Sequence, residues 1–179
     1  MIHTLHVFCN SELSSFYFDI RKDRLYCDRP DLFERRATRT VMAILLEYLC
    51  TWFAPILSFT AEEAWQMRPL AAIAPQSQSV HTQTFPAAPA AWHNPDLAAR
   101  WDKIRDIRRV ITGALEPKRA DKTIGSSLEA HPVIYLSPDL STDFAGVDWA
   151  EIGITSQATV HTGAPPEGAF TLGDVPEVG

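Results

Sequence analysis

Between Pro30 and Pro55 the chain runs through DLFERRATRTVMAILLEYLCTWFA without a proline or glycine, and this stretch restricts the fold more than any other. Pro30 suits a first helical turn, where its missing N–H has no bond to lose, and Asp31 and Glu34 have the spacing of a cap and its capping-box partner. Ala37, Val41, Ile44, Leu45, Tyr48, Leu49, Trp52 and Phe53 then recur at three- and four-residue steps. The spacing predicts one long helix with a broad apolar stripe, ended where Pro55 removes a donor. So wide a stripe has to be covered from more than one side, which calls for a helical bundle. Its most apolar part, Val41 to Leu57, is interrupted by Glu47, Thr51 and Pro55 and is too short to cross a bilayer. A buried helix is expected, with no membrane partner.

Other elements follow by the same logic. Ile2, Leu5, Phe8, Cys9, Leu13 and Phe16 predict an amphipathic helix already running at Met1 with no capping residue before it, as expected of a piece of a longer protein. Thr60-Ala-Glu-Glu63 reads as a capping box opening a short helix through Trp65. From Pro69 to His93 there is no Asp, Glu, Lys or Arg, and Pro, Ala, Gln and Ser dominate. That composition reads as a connector, held by Phe85 and Trp92, with a short extended piece at VHTQTF. Asn94-Pro95 caps a third long helix whose inward face is Leu97, Trp101, Ile104, Ile107 or Arg108, Ile111 and Leu115. Pro117 predicts a kink, since a proline inside a helix costs about 3 kcal/mol. Gly125 then ends the helical pattern, HPVIYL (131–136) and ATVHT around Val160 read as strands, and GAPPEGAFTLGDVPEVG reads as a loose end. The expected fold class is mainly α, a helical bundle with a small α/β C-terminal appendage. Two parts are expected: 1–93, the bundle with its connector, and 94–179, the long basic helix with a small acidic α/β subdomain.

Charge is segregated along the chain. All 16 Lys and Arg lie between Arg21 and Lys122, while 8 of the 22 acids lie from Glu129 to Glu177. An acidic total of -6 therefore does not exclude a polyanion partner. Arg21 to Arg39 holds seven cations against four acids, and Arg100 to Lys122 holds eight against four. In the first window Phe16 continues the inward stripe of its helix, whereas the spacing determines Tyr17 and Tyr26 less, and either is a candidate ring for an unstacked base. Catalytic groups are harder to find. The chain has no Gly-x-x-x-x-Gly-Lys loop, no Gly-x-Ser-x-Gly elbow and no His-Glu-x-x-His, and no base is arranged near Ser126 or Ser127. Cys9, Cys27 and Cys50 are isolated and odd in number, and no carboxylate or thiol joins His3 and His6 at ligand spacing. Neither catalysis nor a metal is expected of this chain.

LSSFYFDIRKDRLYCD (Leu13 to Asp28), the long helix, WFAPILSFTAEEAW (Trp52 to Trp65) and KTIGSSLEA (Lys122 to Ala130), in that order, closely resemble the region after the catalytic core of bacterial isoleucyl-tRNA synthetases, members of the class I aminoacyl-tRNA synthetases. SVHTQTFP (Ser79 to Pro86) and WDKIRDIRRVITGALE (Trp101 to Glu116) fit the same pattern, and the last forty or so residues fit it least. The resemblance implies an anticodon-binding helical bundle followed by a C-terminal junction, in a ligase that joins isoleucine to its tRNA with ATP and magnesium. The His-Ile-Gly-His and Lys-Met-Ser-Lys-Ser signatures of the nucleotide-binding core do not occur here, nor does the cysteine-rich zinc module that commonly follows in bacterial members. The resemblance therefore implies a non-catalytic, cofactor-free fragment acting as a monomer, and the lack of a signal-peptide pattern after Met1 gives a cytoplasmic expectation. Its expected partners are tRNA(Ile) and the catalytic and C-terminal domains of the same polypeptide.

The RNA-binding residues expected from the two basic windows are Arg21, Lys22, Arg24 and Tyr26, then Arg105, Arg108, Arg109, Lys118, Arg119 and Lys122. Cations placed near helix C-terminal ends are favoured by the dipole and remain available to phosphate. The alternative is a helical protein-interaction module that does not bind RNA, with the Val41 to Phe53 stripe exposed to a partner helix.

Overall fold

A computed structural model describes residues 2–68 and 78–179. Its contacts divide the chain into two compact units: the residues up to Ile20 together with Asn94–Gly179, and Arg21–His93. Reading the sequence in order grouped the N-terminal helix with residues 21–93. By its contacts it belongs instead with the long helix that follows Asn94.

In the first unit, α1 (Ile2–Val7) continues as a π-helix over Phe8–Phe18. This departs from the α periodicity expected there: Leu5, Leu13 and Ile20 are buried, whereas Ile2 is exposed. Helix α5 (Pro95–Ala120) is capped as its sequence predicts, with the Leu97 N–H donating to Asn94 Oδ1 at 2.9 Å. It buries Ile104, Ile107, Val110, Ile111 and Leu115, while Leu97 at its start is half exposed. The helix runs through Pro117 to Ala120. Its end is set by Lys122, which takes the left-handed conformation (φ 61°), so that the Ile124 N–H returns to the Lys118 carbonyl at 3.2 Å. Gly125, expected to stop the helix, lies beyond that turn.

Strands β1 (Val133–Leu136) and β2 (Thr159–Thr162) pair in parallel, Val133 opposite Thr159 and Leu136 opposite Thr162. Between them run α6 (Pro138–Asp143), capped by Ser137, and α7 (Trp149–Gly153), capped by Asp148. Ile134, Leu136, Leu140, Phe144, Trp149 and Ile152 close one core with the buried face of α5. The C-terminal residues are not loose. The Tyr135 N–H donates to the Gly179 carbonyl at 2.7 Å, the Gly179 N–H returns to the Tyr135 carbonyl at 3.1 Å, and the Ser137 N–H bonds to the Glu177 carbonyl at 3.1 Å. Val178 is fully buried. Gly and Pro spacing reads as loop, but buried Val178, partly buried Leu172 and Val175 packed on the core, and three backbone bonds to β1 and Ser137 hold this stretch in place.

The second unit holds α2 (Lys22–Tyr26), α3 (Phe33–Phe53) and α4 (Ser58–Gln66), with single 3-10 turns at Val80–Thr82 and Ala90–Trp92. Two expected caps are absent. Leu32, which has no side-chain acceptor, is the N-cap of α3, and Asp31 pairs instead with Arg29 at 2.7 Å. Helix α4 begins at Ser58, ahead of the expected Thr60 box. The buried side of α3 also differs from the expected stripe, passing through Thr38, Glu47, Tyr48, Cys50 and Thr51 and leaving Val41 exposed. Glu47 can face inward because Arg68 meets it: Arg68 Nε lies 3.1 Å from Glu47 Oε1, with both side chains almost wholly buried. The Arg68 guanidinium also donates to the Trp65 carbonyl at 2.9 Å and lies 3.4 Å from the centre of the Trp65 ring.

Of the connector, 69–77 lie outside the described residues. Ser79 to Pro86 is fastened by Glu62, whose Oε2 accepts from Ser79 Oγ at 2.8 Å and from the Val80 N–H at 2.9 Å. Gln66 donates to Glu62 Oε1 at 2.7 Å. The bonds from Gln66 and then Ser79 hold the Glu62 carboxyl below the usual carboxylate range. Val80 is the buried anchor, while Phe85 and Trp92, expected to hold the segment, are more than half exposed. The Tyr48 hydroxyl donates to the Ala87 carbonyl at 3.0 Å. VHT forms a turn where an extended piece was expected.

Candidate nucleic-acid interface

A cation whose donors already serve a carboxylate is less available to phosphate, so the partners of each basic side chain sort the expected site residues. Helix α5 presents Arg105 and Arg108 to the π-helical segment. Arg105 pairs with Glu12, and its guanidinium lies 4.4 Å from the centre of the Phe16 ring. Arg108 donates through Nε to the Ile152 carbonyl at 2.9 Å, pairs with Asp19 at 3.5 Å and lies 5.6 Å from the same ring. Burial pulls the Arg108 guanidinium below the usual arginine range, against the opposing pull of Asp19. Phe16 meets Trp101 edge-on at 6.0 Å. This cluster leaves Phe16 unavailable to a base, as its inward spacing predicts.

Arg109 faces outward but bridges Asp106 at 3.0 Å and Asp174 at 2.8 Å. The Asp174 bond, followed by that from Asp106, raises the Arg109 guanidinium above its usual range. Arg119 pairs with Glu116 at 2.7 Å. Lys118 and Lys122 differ from these arginines: both are exposed and make no side-chain hydrogen bond or ion pair among the described residues. Asp121, between them, is engaged with the Thr123 N–H at 2.9 Å.

In the second unit, Arg21 is half-buried just before α2, and Lys22 is exposed on it. Arg24 pairs with Asp28 at 3.5 Å, one turn on. Tyr26 is 82% exposed at the end of α2. Beyond the turn that follows, α3 opens with Phe33, which is 77% exposed. The connection is pinned by Arg35, whose guanidinium donates to the Asp28 carbonyl. Arg36 and Arg39, on the exposed side of α3, make no side-chain hydrogen bond or ion pair among the described residues. Arg36 and Arg39 lie in the basic window but outside the expected site residues, as does Phe33. The available signal was their position outside the apolar stripe, at steps of three along the helix. Tyr17, the other candidate ring, is half-buried and tilted against Phe18 at 5.9 Å.

A shallow pocket on α5 and α6 is lined by Asp96, Ala99, Arg100, Lys103, Asp143 and Phe144. Its two cations face two acids, and the Arg100 guanidinium lies 5.4 Å from the centre of the Phe144 ring. Such a surface is largely self-neutralised and offers a polyanion little. No group of three or more His, Cys, Asp or Glu that could hold a metal occurs among the described residues. No helix among them is long and apolar enough to cross a membrane.

Comparison with known proteins bears on the same residues. The family model for the anticodon-binding domain of tRNA ligase matches residues 1–134. Isoleucine–tRNA ligases of Brucella abortus and Bartonella henselae are 54% and 51% identical to the chain over 169 and 173 residues, covering 94% and 96% of it. That of Agrobacterium fabrum is 51% identical over 172 residues. The chain spans 17% of the length of each of these relatives. With most of its length inside the family model, the chain belongs to the anticodon-binding domain family of tRNA ligases.

Proposed function

We propose that the chain is the anticodon-binding part of an isoleucine–tRNA ligase and grips the anticodon stem and loop of tRNA(Ile). The observation that carries this reading is the family match over residues 1–134; identity above 50% to isoleucine–tRNA ligases supports the choice of amino acid. Phosphate contacts fix register on the RNA, and splayed loop bases are read by stacking and edge hydrogen bonds. Among the expected cations, Lys118 and Lys122 suit phosphate by their exposure and unused donors. In the other unit Lys22 is exposed on α2, while Arg24 is held by Asp28. Arg105, Arg108, Arg109 and Arg119 suit a scaffold, each already held by a carboxylate. In this reading ATP, magnesium and zinc belong to other parts of the ligase, which works as a monomer in the cytoplasm.

A titration of labelled tRNA(Ile) with the 179-residue chain, followed by fluorescence anisotropy, tests the reading. Binding is expected at low ionic strength, weakening as salt rises, and stronger for tRNA(Ile) than for a tRNA with an unrelated anticodon. A chain that ignores RNA at low salt contradicts it.

A second role rests on a different surface. Phe59 is 93% exposed and Met67 79%, with Ile56 and Leu57 partly exposed, while the neighbouring Arg68 keeps its charge buried. An apolar face of this kind suits contact with protein, and the remainder of a longer ligase polypeptide is the partner we assign to it.

A further inference from the structure

We propose that the corner between α2 and α3 is the platform on which the unpaired bases of the anticodon loop stack. Tyr26 and Phe33 supply the ring faces, and Arg36 and Arg39 supply the contacts to the flanking phosphates. This rests on the RNA-binding reading above and deepens it by naming the chemistry of the contact.

Large aromatic rings are seldom left in water, yet the two residues that bracket this corner are 82% and 77% exposed. The corner beneath them is built and held. Arg24 pairs with Asp28, Arg35 donates to the Asp28 carbonyl, and Arg29 pairs with Asp31, so three of the cations in this window are committed to shaping the turn. Arg36 and Arg39 are not committed in this way, and they project from the exposed side of the helix that Phe33 begins. A ring three residues along one helix from an unspent guanidinium, as Phe33 is from Arg36, matches an unpaired nucleotide, which offers a flat π face and a phosphate together. A duplex offers the phosphate but keeps its base faces covered. A protein partner would make good use of the rings but has no evident need for the two cations. The corner also lies within the residues that match the anticodon-binding domain, which is why the loop is the source of unpaired bases to which we assign it.

The test uses the 179-residue chain and tRNA(Ile) carrying 2-aminopurine at single positions, either in the anticodon loop or at the unpaired 3′ end. With the unaltered chain, an emission change is expected at loop positions. Tyr26→Ala and Phe33→Ala should each remove part of it and weaken binding about 5- to 150-fold, the equivalent of ~1–3 kcal/mol per stacked base. Both rings are exposed, so unfolding temperatures should stay close to that of the unaltered chain, and Phe33→Trp should preserve binding. Arg36→Ala with Arg39→Ala should make the salt dependence shallower. If the unaltered chain binds and both ring variants stay within twofold of it, the platform is overturned while the RNA-binding reading stands. If the emission change appears only at the 3′ end, the loop is the wrong occupant and the proposal is likewise overturned. Failure of the unaltered chain to bind RNA would remove the reading on which both depend.

Discussion

Replacing Arg68 by methionine should destabilise the Arg21–His93 unit by about 3–5 kcal/mol, read as a loss in the free energy of denaturant unfolding, because Glu47 would be left as a buried charge without its counter-ion. Glu47 and Arg68 are 0% and 1% exposed. No water is at hand to solvate whichever group remains, and removing one member of such a pair costs far more than the pair itself contributes. The damage should extend beyond the pair. The Arg68 guanidinium bonds to the Trp65 carbonyl and lies against the Trp65 ring, while Trp65 Nε1 donates to the Gln78 carbonyl at 2.6 Å. Cys50 shares this interior, where burial pushes its thiol up. The double variant Glu47→Leu, Arg68→Met should recover most of the lost stability, since hydrophobic groups of similar volume often replace a buried ion pair at no net cost. If Arg68→Met alone unfolds at the same denaturant concentration as the unaltered chain, the pair does not hold this unit.

Arg108→Glu has the next largest expected effect, a loss of about 3 kcal/mol in the other unit. The argument is geometric. Arg108 Nε donates to the Ile152 carbonyl in the last turn of α7, where the helix dipole favours a cation, and the same guanidinium meets Asp19 on the N-terminal segment. A charge-assisted hydrogen bond of this kind contributes about 1.5–3 kcal/mol, and the substitution adds repulsion from Asp19 and from the carbonyl. Thermal unfolding should show the loss without any RNA present. Arg108→Lys keeps the charge and loses the planar fork, and should fall between the two. An Arg108→Glu chain with normal stability and reduced tRNA binding would make Arg108 an RNA contact and overturn its role as a strut.

These two arginines show what was legible in the sequence and what was not. The α5 helix, its Asn94 cap and its buried Ile104, Ile111 and Leu115 follow from local spacing, which leaves Ile107 and Arg108 as alternatives, and so do β1 and the strand near Val160. Several partners of the cations do not, because they come from far along the chain: Glu12 for Arg105, Asp19 for Arg108, Asp174 for Arg109 beside its local Asp106, and Glu47 for Arg68. Glu47 looked like a break in an apolar stripe, yet it faces inward because an arginine 21 residues away neutralises it. The π-helical turns at Phe8–Phe18 shift the burial pattern away from an α period, and no local residue announces them. The terminal Val178 is buried by pairing with β1, an interaction that composition alone cannot reveal. Within the candidate site, the basic windows were visible as charge, but the division into cations that build and cations that remain available required the positions of the acids.

That division is tested most directly by the salt dependence of tRNA(Ile) affinity in chains that lack one class of cation or the other. Lys118→Ala with Lys122→Gly removes two charges that make no side-chain hydrogen bond or ion pair among the described residues, at little risk to the fold. Lys122 holds a left-handed backbone (φ 61°) that costs a non-glycine residue about 1–2 kcal/mol, so glycine should leave the unfolding temperature no lower. The slope of log K against log salt should then become shallower by about 0.7–0.9 for each lysine removed. Arg109→Ala, which removes a cation already bonded to Asp106 and Asp174, should leave the slope unchanged. The opposite pattern, an unchanged slope without the two lysines and a shallower one without Arg109, would contradict the account.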